Sequence, residues 1–242
     1  MKKLHNILVI TIFLSFTEGF SQQTDFDKFI SLFQNVQLPL NTFDLVIPNN
    51  YLKLAKVKID KSLVVKYIYN GDESKLKYSY DKIDYLEGKK IGVVNDEYTF
   101  SPVYKVAIKE FLVIVFFRNG VNDMKYFLGV VDKNKRNTDL LLINEISDDS
   151  EITDFMASSI ENNLDVRTVR YNSSPQIRGK VFYKNDTAKS VKSVLEIKEF
   201  NVSEVGKFAL TKSYNKKSNC FVYDFYNKSA KCKEDDPLAK TH

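Results

Sequence analysis

Histidine is the side chain that most often moves protons near neutral pH, and this 242-residue chain carries it only at its two ends, His5 and His242. A Ser-His-Asp triad, a Cys-His pair and histidine-ligated metals therefore lack their central residue through the body of the chain. Three histidine-free chemistries remain. Paired carboxylates can serve as acid and base in the manner of a glycosidase, and the dense acidic groups are Asp96-Glu97 and Asp148, Asp149, Glu151 and Asp154. Both sit among turn-forming residues, as solvated charge does. A sugar platform would also have to be built from the fourteen tyrosines, because there is no tryptophan. Ser74-Lys75-Leu76-Lys77 matches the S-x-x-K pattern of serine-lysine nucleophiles, yet it bridges a turn and a strand where that chemistry needs a helix start. Asp132-Lys133-Asn134 begins like a calcium loop. Arg136 then stands where an oxygen ligand is required, Asn137 replaces the turn glycine and Ile143 replaces the bidentate glutamate, which leaves a polar hairpin loop. No residue is assigned a catalytic, cofactor-binding or metal-binding role, and no cofactor is expected.

The two cysteines, Cys220 and Cys232, are the remaining reactive pair. Their meaning depends on compartment, which the first residues address. Lys2 and Lys3, the apolar run Ile7 to Phe16 and the small residues around Gly19-Phe20-Ser21 read as a secretory signal over residues 1–21, cleaved before Gln22. The apolar run is too short for a stable bilayer span, and no cysteine near the cleavage point could take a lipid. An exported, periplasmic or secreted protein with no membrane span after cleavage is expected. In an oxidising compartment Cys220 and Cys232 are candidates for a disulfide worth roughly 2–3 kcal/mol, with two unpaired thiols as the other outcome.

Composition is that of a folded domain, 43% hydrophobic and 28% charged. The net charge of +5 is spread along the chain rather than gathered on a face or tail, which argues against a nucleic-acid partner. No linker divides the sequence, so residues 22–227 are taken as a single β-rich domain and residues 228–242 as a polar C-terminal tail.

The elements begin with a helix from Asp25 to about Val36, capped by Thr24, whose Phe26, Phe29, Ile30 and Phe33 share a face. Beyond Pro39 short runs rich in Val, Ile, Tyr and Phe alternate with turn residues, the pattern of an antiparallel meander. The expected strands are 52–59, 63–69, 76–85, 91–94, 98–108, 111–118, 125–131, 140–146, 166–171, 177–183, 191–200, 207–211 and 220–226. Asn70-Gly71-Asp72 and Arg118-Asn119-Gly120 read as hairpin turns with positive φ. Phe111 to Phe117 is apolar without alternation and must be covered on both faces, by a second sheet or by the N-terminal helix. In 220–226 the residues Phe221, Tyr223 and Phe225 share one face. Asp148-Asp149-Ser150-Glu151 resembles a capping box, and a short helix is expected near 149–160. The fold class is mainly β, an antiparallel meander forming a two-layer sandwich or a barrel-like sheet.

A phenylalanine-rich helix followed by Leu38-Pro39-Leu40, β runs, Ser158-Ser159-Ile160 read as a late turn, and Val205-Gly206-Lys207-Phe208 near the end resemble uncharacterised short exported proteins of Gram-negative bacteria. The resemblance spans most of the mature chain and implies an envelope or secreted location, with no activity or site to carry over. The expected function is thus a non-enzymatic, exported β-rich protein that binds another cell-envelope component, through sheet faces, edge strands or long loops. The alternatives are a carrier of an apolar ligand or lipid in a β cavity, and a histidine-independent hydrolase using carboxylates.

Overall fold

A computed structural model describes residues 24–46, 56–84, 87–121, 123–146, 155–172, 193–221, 224–225 and 228–238. Among the described residues twelve strands form two sheets that do not close into a barrel, and the architecture is sandwich-like.

Helix α1, Asp25–Ser31, starts where the sequence places it: Thr24 accepts from Asp27 N at 3.2 Å and Asp27 accepts from Thr24 N at 3.1 Å. It ends five residues early, because Gln34–Asn35 become strand β1, paired parallel to Tyr104 and Lys105. Strand β2, Leu40–Asn41, and a 3₁₀ turn, Thr42–Val46, follow. The expected strand 63–69 is instead helix α2, Lys61–Tyr67. Its N-terminus is capped by Asp60, which accepts from Ser62 N at 2.8 Å, and Val64, Tyr67 and Ile68 then lie on one buried side against Phe29 and Phe33. Burial at helical spacing overrides the weak strand preference of the Leu-Val-Val run. Asn70 and Gly71 do have positive φ, but they end this helix rather than turn a hairpin, and Gly71 N donates to Val65 O at 2.7 Å.

A 3₁₀ turn, Glu73–Leu76, leads into β3, Lys77–Asp84, and β4, Lys89–Glu97, which pair only with each other among the described residues. The main sheet then runs through β5, Thr99–Ile108; β6, Phe111–Gly120; β7, Asp123–Val131; and β8, Asn137–Ile146. It continues as β9, Phe155–Ile160; β10, Val166–Asn172; β11, Val194–Val202; and β12, Phe208–Lys217. The hairpin of β6 and β7 forms as expected, although its turn lies beyond Gly120, which pairs with Asp123 inside the ladder. Gly120 is there for clearance: a Cβ would sit 2.9 Å from the Tyr98 ring.

Strand β6 is covered on both sides, as its unbroken apolar run requires. Val113, Val115 and Phe117 enter a large core shared with β7 to β11, while Ile114 and Phe116 enter a second core beneath α1 and α2. Residues 155–160, expected in a helix, form β9, buried along its whole length, and Ser158-Ser159-Ile160 is strand rather than turn. The helical spacing of its apolar residues is incidental once both faces are covered. Strands β8 and β9 pair only at Glu145–Met156 and Ile146–Phe155 before diverging, and the 3₁₀ turn Thr42–Val46 packs against both. Between them Asn144 Nδ2 donates to Thr42 O at 2.8 Å, Ser158 N donates to Thr42 Oγ1 at 2.8 Å, and the Thr42 hydroxyl bonds Asn144 Oδ1.

Of the expected strand 220–226, the described residues 220–221 and 224–225 are not strand. Asp224 and Phe225 form a helical turn, with Phe225 N donating to Phe221 O at 3.3 Å. Phe221 and Phe225 are spaced four apart, which suits a helical turn as well as a strand face. Residues 228–238 of the expected tail pack on the domain, where Cys232, Asp236 and Leu238 are buried. Of strand 52–59 only 56–59 are described and they are not strand; strand 177–183 and residues 149–154 of the expected helix lie outside the described residues.

Candidate functional site

Cys220 and Cys232 are joined, with their Cα atoms 5.7 Å apart. The bond ties the C-terminal segment to the chain just beyond β12, and a cleft of about 500 Å³ opens between that segment and the 3₁₀ turn Thr42–Val46. Asn41 anchors one wall by accepting from Phe43 N at 2.9 Å and donating to Leu238 O at 3.1 Å. The floor is aromatic. Phe43 and Phe225 close over Tyr171 with ring centroids 6.0 Å and 4.9 Å away, and Tyr171 stacks on Phe155 at 4.5 Å. The rim is charged: Lys228 pairs with Asp44, Lys231 pairs with Asp224 at 2.7 Å, and Lys233 lies alongside.

Asp236 lines this cleft yet is only 8% exposed. Its carboxylate accepts from the Tyr171 hydroxyl and from Leu238 N at 3.0 Å. Burial pushes the Asp236 carboxyl above its ordinary value, while the bonds from Tyr171 and Leu238 and the charge of Lys216 pull the other way. The Tyr171 phenol is pushed far up, first by burial and then by Asp236. Neither residue is legible in the sequence as a pair. Asp236-Pro237 signals a turn, but the partner lies 65 positions away in β10.

The residues singled out for chemistry do not converge. Asp96 and Glu97 are adjacent on β4 and so point to opposite sides of it, Asp96 toward the Tyr78 hydroxyl and Glu97 to an ion pair with Lys61. Asp148, Asp149, Glu151 and Asp154 lie outside the described residues. The Ser74 hydroxyl bonds Asp72 at 2.5 Å in the 3₁₀ turn, and Lys77 is exposed at the start of β3. Asp132 closes the loop between β7 and β8 by accepting from Asn134 N at 2.8 Å and Arg136 N at 3.0 Å, the polar hairpin expected of it.

At the edge of the large core, beneath the partly buried Leu38, Leu40 and Val106, a void measures about 10 Å³, no more than one water could use. A second surface depression of about 320 Å³ lies at the far end of β10 and β11, where Arg167 pairs with Glu199 at 3.2 Å. No helix among the described residues is long and apolar enough to cross a membrane. No family model matches the chain, and comparison with curated proteins and with solved structures finds no similar protein.

Proposed function

We propose that this is an exported, non-enzymatic binding protein of the bacterial cell envelope, and that the cleft beside Cys220–Cys232 receives a polypeptide or another envelope component. The observation that carries the reading is the make-up of that cleft: an aromatic floor of Phe43 and Phe225 inside a rim of lysines and carboxylates, at a volume suited to a side-chain cluster or short segment. A disulfide pinning one wall suits an oxidising compartment, in keeping with the signal read at residues 1–21. The carboxylates favour binding over reaction. Asp44 and Asp224 are each held by a lysine, and the Asp236 oxygen that bonds Tyr171 also takes Leu238 N.

In-cell crosslinking of a tagged full-length chain, with mass spectrometry of the captured proteins, tests this against the double variant Lys228→Glu, Lys233→Glu. The rim ion pair it removes is exposed and contributes little to folding. One reproducible partner, lost in the variant while the fold persists, is the expected result. Capture that is indifferent to the rim charges, or no capture from the envelope, would overturn it.

A further inference from the structure

Strands β3 and β4 form a sheet of their own, and a two-stranded sheet is marginal in water unless something adds to it. Its base is tied to the body: Tyr78 stacks on Tyr98 with centroids 4.4 Å apart, and Val121 N donates to the Tyr78 hydroxyl at 2.9 Å. Beyond that base it is open. Ile91 and Val93 are 59% and 57% exposed, the highest values among the described large apolar side chains of the sheets, and a Cβ on Gly92 would meet nothing within 4 Å. The edge of β4 that faces away from β3 has no strand beside it among the described residues.

The order of residues along β4 says what fits that edge. Two lysines, Lys89 and Lys90, open the strand, Ile91 to Asn95 carry no charge, and Asp96 and Glu97 close it. The strand is therefore complementary in charge to its own reverse. We propose that β4 pairs antiparallel with β4 of a second copy of this chain about a two-fold axis at Val93, joining two arms into one four-stranded sheet. Lys89-Lys90 of each copy then lies along Asp96-Glu97 of the other, and the two Val93 side chains meet on one face. Shifting the register by two residues in either direction sets the lysines against uncharged positions. The register shift opposite Lys82 and Ile83 makes Ile91 a bulge, which moves the lysine end by one residue and leaves both acidic residues within its reach. Within one copy, Lys89 pairs with Glu87 at 3.3 Å, Lys90 with Asp81 at 2.6 Å and Glu97 with Lys61, while Asp96 accepts from the Tyr78 hydroxyl at 3.3 Å; these ion pairs are exposed to solvent at 39% or more of each side chain, where a pair contributes little and can be exchanged.

The experiment is light scattering coupled to size exclusion on the mature chain, on the variant Lys89→Glu, Lys90→Glu, on the variant Asp96→Lys, Glu97→Lys, and on their equimolar mixture. Wild type should run at twice the chain mass. Each variant alone should lose the dimer, because its strand then carries one sign of charge at both ends, and the mixture should regain it as a heterodimer. A monomeric wild type, a dimer untouched by either reversal, or a mixture that stays monomeric would each overturn the proposal. Far-UV circular dichroism of both variants separates loss of pairing from loss of fold.

Discussion

The Asp236 carboxyl is where a single residue shapes the behaviour of the fold. Because its proton affinity is higher in the folded chain than the ordinary value of 3.8, folding takes up protons there. The stabilisation from that group is complete below the ordinary carboxyl value and is lost as pH rises through the raised one. Replacing Asp236 by Asn keeps an oxygen for Tyr171 and Leu238 and removes the charge. The melting temperature of Asp236→Asn relative to wild type should therefore climb as the pH goes from acid to neutral, measured by thermal unfolding at a series of pH values. A constant offset across the series would show that burial does not perturb this carboxyl.

Among elements, the 3₁₀ turn Thr42–Val46 does what a strand would do elsewhere, by filling the opening between β8 and β9. Asn144 is 0% exposed and holds this turn through both ends of its side-chain amide, the nitrogen donating to Thr42 O and the oxygen accepting from the Thr42 hydroxyl. Truncating it to Ala strands the Thr42 carbonyl in the core, which costs about 1–3 kcal/mol. The expected result for Asn144→Ala is a melting temperature lower by roughly 2–4 °C for each kcal/mol lost, with the strand signal retained in circular dichroism. Helix α2 shows why a local pattern can mislead at this scale. Val64, Val65 and Tyr67 favour a strand by type, and burial against Phe29 and Phe33, with the Asp60 cap at the start, decides the helix.

At the scale of the whole molecule, the far end of the sandwich closes where the turn between β11 and β12 meets β6 to β8. Thr138 Oγ1 donates to Gly206 O at 2.7 Å, and Phe208 N donates to Asp139 at 2.9 Å. Gly206 has φ +75°, and a Cβ there would sit 2.6 Å from Thr138 Oγ1 and 3.1 Å from Phe111. Gly71 has φ +95° with nothing within 4 Å. Substitution of either by Ala strains the backbone by about 1 kcal/mol, and Gly206→Ala adds a collision. Gly206→Ala should therefore melt well below Gly71→Ala, and equal melting temperatures would mean that the turn is not docked on β6 to β8.

The local chemistry of the chain was enough to determine the start of α1 at Thr24, the hairpins from β5 to β8 and the two-sided burial of β6, since each depends on neighbours in sequence or on composition; it named Cys220 and Cys232 as a candidate pair and left unpaired thiols open. Tertiary structure decided that 155–160 is a strand, that 61–67 is a helix, and that 224–225 turns against Tyr171. Those segments have apolar residues that satisfy either period, so burial by distant elements chooses between them. The cleft was hidden for the same reason. Its walls come from Asn41, Phe43 and Asp44 and from residues 224–225 and 228–236, brought together by Tyr171, Asp236 and a disulfide, and no spacing within either stretch encodes the other.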